Sequence, residues 1–364
     1  MRLRGRKNVS IAAAVLSVTV LTSLVIVAPV GATARAVSKV QRGLDTFVTD
    51  ACQSNASWTK LATSQFKAFK SIGANSVGIS FPLYTDSLTS NNIYANDECA
   101  GPQRSPSAAR LGVLVGVAHK VGLKVLLRPI LDEANLRAQN PNNWRGIINP
   151  SNVTTWFNNY LTTLRPYLQM AQADHVEHFA LTTELDSLTT LSNWGSAIGL
   201  AKALYKGDLD FGLLWEDGVV QKHWGGTSPG LDTYQYVTGK PDNASPKQLL
   251  QSWNYALATK AALTYPIKSA TIQEVGIPAQ DGAAAQPFAW GLPLKTHPFN
   301  QIVQSNWYTM ACSFFKMHKM QGIYYWGAYL DQGAGALLKV PDSATTLAIQ
   351  PKSVASIKRC FTGR

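Results

Sequence analysis

The chain has 364 residues, of which 46% are hydrophobic, 10% aromatic and 15% charged, with a formal charge of +12. That apolar share can fill a large core, which excludes long intrinsic disorder and a collagen-like or low-complexity chain. Only one apolar run approaches membrane-spanning length, which excludes a multi-span membrane protein.

That run lies at the N-terminus, from Ile11 to Val30. Arg2, Arg4, Arg6 and Lys7 precede it, and Ala32-Thr33-Ala34-Arg35-Ala36 follows with two overlapping Ala-x-Ala sites. Basic head, apolar middle and small-residue end predict a secretory signal peptide over residues 1–36, with the mature domain over 37–364. About 20 apolar residues could instead remain as an uncleaved membrane anchor. Cleavage leaves 28 basic against 21 acidic residues, a charge of +7. These cations are scattered, so they give no nucleic-acid signal. A secreted monomer without stable membrane insertion is the expected form.

From Arg42 onward, short apolar runs alternate with stretches at helical spacing, the pattern of parallel βαβ units. Strands are expected at Gly43–Val48, Ser76–Pro82, Lys124–Leu131, His178–Glu184, Asp210–Trp215, Leu231–Tyr236, Ala270–Val275 and Gly322–Tyr329. The helix after the second strand shows the pattern well. Pro106 and Ser107 open it, Leu111, Leu114, Val115 and Ala118 share a face, and Gly122 stops it. Later helices carry Trp156, Tyr160, Leu164 and Leu168; Leu249, Leu250, Trp253 and Leu257; and Val303, Trp307, Met310 and Phe314. Eight such units predict an α/β fold, a single-domain (β/α)8 TIM barrel. An open doubly wound sheet is disfavoured, because no Gly-rich phosphate loop follows the first strand. The longest connections, 86–105, 132–150 and 279–300, all follow strands, on the face where such barrels carry their active sites.

Four cysteines lie beyond the N-terminal segment: Cys52, Cys99, Cys312 and Cys360. An even number in an exported protein implies two disulfides with three possible connectivities. Topology favours Cys52–Cys99 and Cys312–Cys360, since each pair lies on neighbouring elements.

Chemistry is sought at the C-terminal ends of strands. Glu184 closes the fourth expected strand and Glu274 nearly closes the seventh. Two carboxyls facing one cleft across a barrel mouth are what glycosidic cleavage requires: one protonates the leaving oxygen while the other attacks or activates water. Trp326, in Tyr324-Tyr325-Trp326-Gly327 on the last strand, is placed to stack beneath a sugar ring. Trp144, Trp215, Trp224 and Trp290 also fall on strand ends or the following loops, whereas Trp58, Trp156, Trp194, Trp253 and Trp307 fall on helices and are expected in the core. There is no Walker loop, and the G-x-S-x-G match Gly226-Thr227-Ser228-Pro229-Gly230 leads into an expected strand rather than turning from a strand into a helix, so it is no nucleophile elbow; the scattered histidines suggest no metal centre. A cofactor is not expected. A non-catalytic sugar-binding barrel remains the rival reading, although binding alone needs neither glutamate.

These residues resemble the clan A retaining glycoside hydrolases, most closely glycoside hydrolase family 113. The resemblance runs from about Arg42 to Asp331 and is carried by Ser105-Pro106-Ser107, Asn143-Trp144-Arg145-Gly146, Thr183-Glu184-Leu185, Asp232-Thr233-Tyr234, Glu274-Val275-Gly276 and Tyr325-Trp326. It implies Glu184 as acid/base, Glu274 as nucleophile, Tyr234 as hydrogen-bond partner of the nucleophile and Trp326 as the floor of the cleavage subsite. It also implies that Trp215 and Trp144 line the cleft, that Asp132 is an acidic site position, and that the partner is a polysaccharide or oligosaccharide, with β-1,4-mannan favoured over glucan, xylan or galactan. Ile130 and Ile277 depart from the pattern, standing where a histidine and an aromatic residue are expected, and Glu133-Ala134-Asn135 follows the first of them.

Overall fold

Eight parallel strands form a closed ring in the computed structural model, which describes residues 40–50, 52–97, 104–215, 224–260, 266–289 and 296–363. They are β1 (Gln41–Phe47), β2 (Ser76–Thr85), β4 (Lys124–Leu131), β5 (His178–Ala180), β6 (Asp208–Trp215), β7 (Ser228–Thr233), β8 (Thr271–Val275) and β9 (Gly322–Tyr329). Each pairs with the next, and β1 pairs with both β2 and β9, which closes the barrel. The two-residue β3 (Ile93–Tyr94) lies antiparallel on the end of β2, where Tyr84 faces Tyr94. It occupies part of the long connection expected to be irregular. The eight-strand expectation holds, with boundaries moved by a few residues. The predicted signal segment and its cleavage site lie outside the described residues. No helix among the described residues is long and apolar enough to cross a membrane.

The helices form as their end signals predict. The Ser107 side chain accepts from the Arg110 amide to start α2 (Ala108–Val121), and Gly122 ends it at φ 79°. In the same way Ser54 caps α1 (Asn55–Ser71), Asn152 caps α4 (Val153–Ala173) and Asn300 caps α7 (Gln301–Met317). The short α3 (Ala134–Gln139) follows β4, and α5 (Asn193–Leu204), α6 (Pro246–Lys260) and α8 (Pro351–Thr362) complete the described helices.

Most of the apolar core lies between the barrel wall and these helices. Trp156 stacks on Tyr160 at 4.9 Å, and Trp194 sets its edge against Phe157 and Phe211. The five helical tryptophans, Trp58, Trp156, Trp194, Trp253 and Trp307, are all fully buried, as expected. Cys312 and Cys360 form the disulfide that ties α7 to α8. Cys52 is also disulfide-bonded; Cys99, its expected partner, lies outside the described residues.

The inside of the barrel is polar, and this decides where the site lies. At its base Tyr324 bonds Ser76 and Gln41, while Gln273 donates to Asp210, which lies 3.5 Å from His178. Higher up, Arg128 on β4 reaches Asp45 on β1, Asp232 on β7 and Glu274 on β8. None of these strands neighbours β4, so the bonds cross the lumen. Gly78 leaves room for the Asp45 carboxylate, which a Cβ there would overlap.

Candidate active site

Glu184 owes its position to an early end of β5. The expected strand runs to Glu184, but the paired segment stops at Ala180. The Leu181 amide makes one more bond to Asp210, and then hydroxyls replace the ladder: Thr182 donates to the Gly212 carbonyl and Thr183 to the Pro129 carbonyl. At Glu184 the backbone enters the left-handed region at φ 50°, which is unfavourable for a residue with a side chain. Strain of this kind persists where the surroundings over-determine the conformation, and it clusters at functional sites.

The side chain of Glu184 is 8% accessible and accepts from Arg145 Nη2 at 2.9 Å. Burial pushes its carboxyl up, Arg145 pulls it down and the charge of Glu274 pushes it up again, with a net rise to about 7. Arg145 lies in the turn after α3, on a stretch that carries Trp144 and Gly146. The half-buried Trp144 ring lies over Gly146, where a Cβ would overlap it.

Glu274 sits near the end of β8 and is 6% exposed. Its Oε1 accepts from the Tyr234 hydroxyl in a short hydrogen bond, and its Oε2 accepts from Arg128 Nη1 at 2.9 Å. Tyr234 follows β7 directly rather than lying within it. Its phenol is pushed well above the ordinary range by burial and by the Glu274 charge, so it remains a donor. Arg128 is fully buried, and it also bonds Asp232 at 2.6 Å and Asp45 at 3.3 Å. Burial opposes its charge, but the three carboxylates more than offset this. Three acids share one guanidinium, and burial pushes both Asp45 and Asp232 well up despite Arg128.

Trp326 is half-buried on β9 beside Phe47, at 6.2 Å between ring centroids. Its carbonyl accepts from the Tyr308 hydroxyl at 2.6 Å, and the Trp326–Gly327 peptide is cis. Tyr329, 42% exposed, also sets its ring edge-to-face with Phe47, at 6.2 Å between centroids.

One predicted position stands apart from this centre. Trp215 is 4% exposed and packs in the core against Trp253 at 5.5 Å and Phe314 at 5.3 Å. It therefore does not line the cleft: its place at the end of β6 turns the ring outward, under α6 and α7. Asp132 is half-buried and uses Oδ1 to accept from the Ala134 amide at 2.8 Å, which fixes the turn into α3. Trp290 lies outside the described residues. Trp224 donates to the Thr189 carbonyl at 2.8 Å. No group of three or more His, Cys, Asp or Glu among the described residues is placed to hold a metal ion.

Sequence reasoning gave no role to Arg128, Arg145, Asp45, Asp232 or Glu133. A signal for Arg128 existed, since a cation inside the apolar strand Lys-Val-Leu-Leu-Arg-Pro-Ile-Leu survives only where buried carboxylates pair with it.

The structure is similar to a solved family 113 β-1,4-mannanase complex over 89% of this chain and 99% of the other, with a TM-score of 0.67 and 17% identity. It is also similar to the family 113 β-mannanase of Alicyclobacillus acidocaldarius, over 89% and 97% of the two chains, with a TM-score of 0.65 and 18% identity. Similarity to the endo-β-1,4-mannanase of Thermotoga petrophila is weaker, over 90% and 78%, with a TM-score of 0.51 and 11% identity. At such identities these likenesses establish the fold. No curated protein sequence matches significantly. The sequence profile of glycoside hydrolase family 113, by contrast, matches residues 46–332, a span that holds both rim glutamates, both arginines and Trp326, and the chain belongs to that family.

Proposed function

We propose that this chain is a secreted, retaining β-glycoside hydrolase that cleaves β-1,4-mannan, with Glu274 as nucleophile and Glu184 as acid/base. The observation that carries the reading is the unequal support of two buried glutamates at one rim. Glu274 receives two donors, Tyr234 and Arg128, which suit a carboxylate ready to attack. Glu184 is raised to about 7, which suits a group that holds a proton near neutral pH and gives it up in the reaction.

In the first step Glu274 attacks the anomeric carbon. The bond to the leaving oxygen breaks, and that oxygen takes the proton of Glu184. In the second, the Glu184 carboxylate removes a proton from water, the water oxygen bonds the anomeric carbon, and Glu274 departs. The configuration is retained, and the two carboxyl groups must approach to about 5–5.5 Å. Trp326 offers its face to the sugar being cleaved. Mannan is favoured because two solved family 113 members of similar fold are described as a β-1,4-mannanase and a β-mannanase. Secretion rests on the three-part N-terminal segment.

Reducing-end release from mannan, glucomannan, xylan, cellulose derivatives and galactan tests the reading beside Glu274→Ala. The expected result is release from mannan that falls by at least ~10³-fold in the variant, with the first product keeping the β configuration by NMR. Release that survives Glu274→Ala would remove the nucleophile assignment.

A further inference from the structure

Arg145 does not serve Glu184 alone. Its Nη2 donates to Glu184 Oε2 at 2.9 Å, and its Nη1 donates to Glu133 Oε1 at 2.9 Å. Glu133 in turn accepts from Arg137 Nε through Oε2 at 2.7 Å. Charges of alternating sign therefore run from the 57% accessible Arg137 to the buried Glu184. Glu133 stands at the N-cap position of α3, yet its side chain makes no capping bond. A carboxylate at a helix start ordinarily accepts from the first free amides; here both oxygens go to arginines.

We propose that Glu133 is a positioning residue that holds Arg145 and shares its charge, so that the acid/base Glu184 keeps the proton it must donate. The physical need is plain. A guanidinium bonded to one buried carboxylate favours that carboxylate's charged form. Undivided, Arg145 would ionise Glu184 and disarm it as an acid. Removed, it would leave Glu184 to burial and to the charge of Glu274, and the carboxylate needed in the second step would form too reluctantly. Dividing the guanidinium between two acids sets the balance between the steps. The other groups that act on Glu184 are Asp186 just beyond it, Glu274 on β8, and Asp232 and Tyr234 at the end of β7. None of these is a cation; among the described residues the cation that acts on Glu184 is Arg145.

The proposal rests on Glu184 being the acid/base, and two readouts separate the two ideas. The chain has six glutamates, so carboxyl-labelled glutamate gives a resolvable NMR titration in which Glu184→Gln identifies one resonance. In Glu133→Gln the Glu184 midpoint should fall by about 0.5–1 pH unit, since a charge one residue removed acts more weakly than a direct partner. Glu133→Asp should move it the same way by less, because the shorter side chain loosens the hold on Arg145, and Arg145→Gln should raise it. The alkaline limb of kcat/KM on a mannooligosaccharide should follow, so that the ratio of Glu133→Gln to wild type drops ~3–10-fold from acid to alkaline pH. A midpoint that stays in place, with activity lowered by one factor at every pH, overturns the proposal. A midpoint that moves in Glu133→Gln, when the wild type hydrolyses no glycan, overturns the acid/base role and keeps the charge sharing.

Discussion

The two rim glutamates sit at one mouth, yet they are supported in different ways. Glu274 is held from inside the barrel by Arg128 on β4 and by Tyr234 at the end of β7. Glu184 is held from a loop, by an arginine that is itself 17% accessible and shared with Glu133. The inner support is rigid and buried because it is made by strands; the outer one borrows its rigidity from short turns. One site thus gives a fixed carboxylate and an adjustable one from identical side chains. Environment separates their roles, as it does wherever two carboxyls do different work.

The strongest way to break this contrast is to remove the inner cation. Arg128→Met leaves Asp45, Asp232 and Glu274 crowded in the lumen without a counter-charge. Loss of one partner from a buried ion pair typically costs ~3–5 kcal/mol, and that loss should appear as a lower urea midpoint together with lost activity. Arg145→Met, in the accessible loop, should cost clearly less stability. Equal costs for the two would show that the inner and outer supports are not different in kind.

A milder change probes the same side. Tyr234→Phe removes only the hydroxyl that donates to Glu274 and keeps the ring. Hydrogen bonds to charged groups contribute ~1.5–3 kcal/mol, so kcat should fall by about 10–150-fold with stability nearly unchanged. A kcat within twofold of wild type would mean that Arg128 suffices to hold Glu274.

Much of this was legible in the sequence. The barrel showed because β strands buried on both faces read as apolar runs, and Lys124–Leu131 and Gly322–Tyr329 kept their boundaries. Glu184 and Glu274 showed because a charged residue at the end of such a run has few places to go. Trp215 misled because an aromatic residue at a strand end faces either the cleft or the helices, and only the register of β6 against β7 decides which. The cross-lumen bonds of Arg128 were not legible, since partners on β1, β7 and β8 lie 83 to 146 residues away. The early end of β5 was hidden too: Thr182 and Thr183 look like good strand residues, and their hydroxyls end the ladder instead.

The adjustable side makes the last prediction, in the unmodified protein. In the proposed acid/base role Glu184 must be protonated in the free enzyme, so kcat/KM should fall above a limb near its carboxyl midpoint, about 7. The same shift carries a stability signature. A carboxyl whose midpoint is higher in the folded chain than in the unfolded one makes the fold bind the extra proton. Its contribution is full below the unfolded value, near 4.5, and is lost as pH rises through about 7. Stability should therefore decline across that window. Glu184→Gln should flatten the part of the decline that belongs to this group, by up to about 3 kcal/mol. Asp45 and Asp232, also raised by burial, contribute declines of the same sign that the variant leaves in place, so the difference between the two curves is the quantity to read. Parallel curves would mean that Glu184 titrates at its ordinary value in the fold, and that its burial is relieved by something other than a held proton.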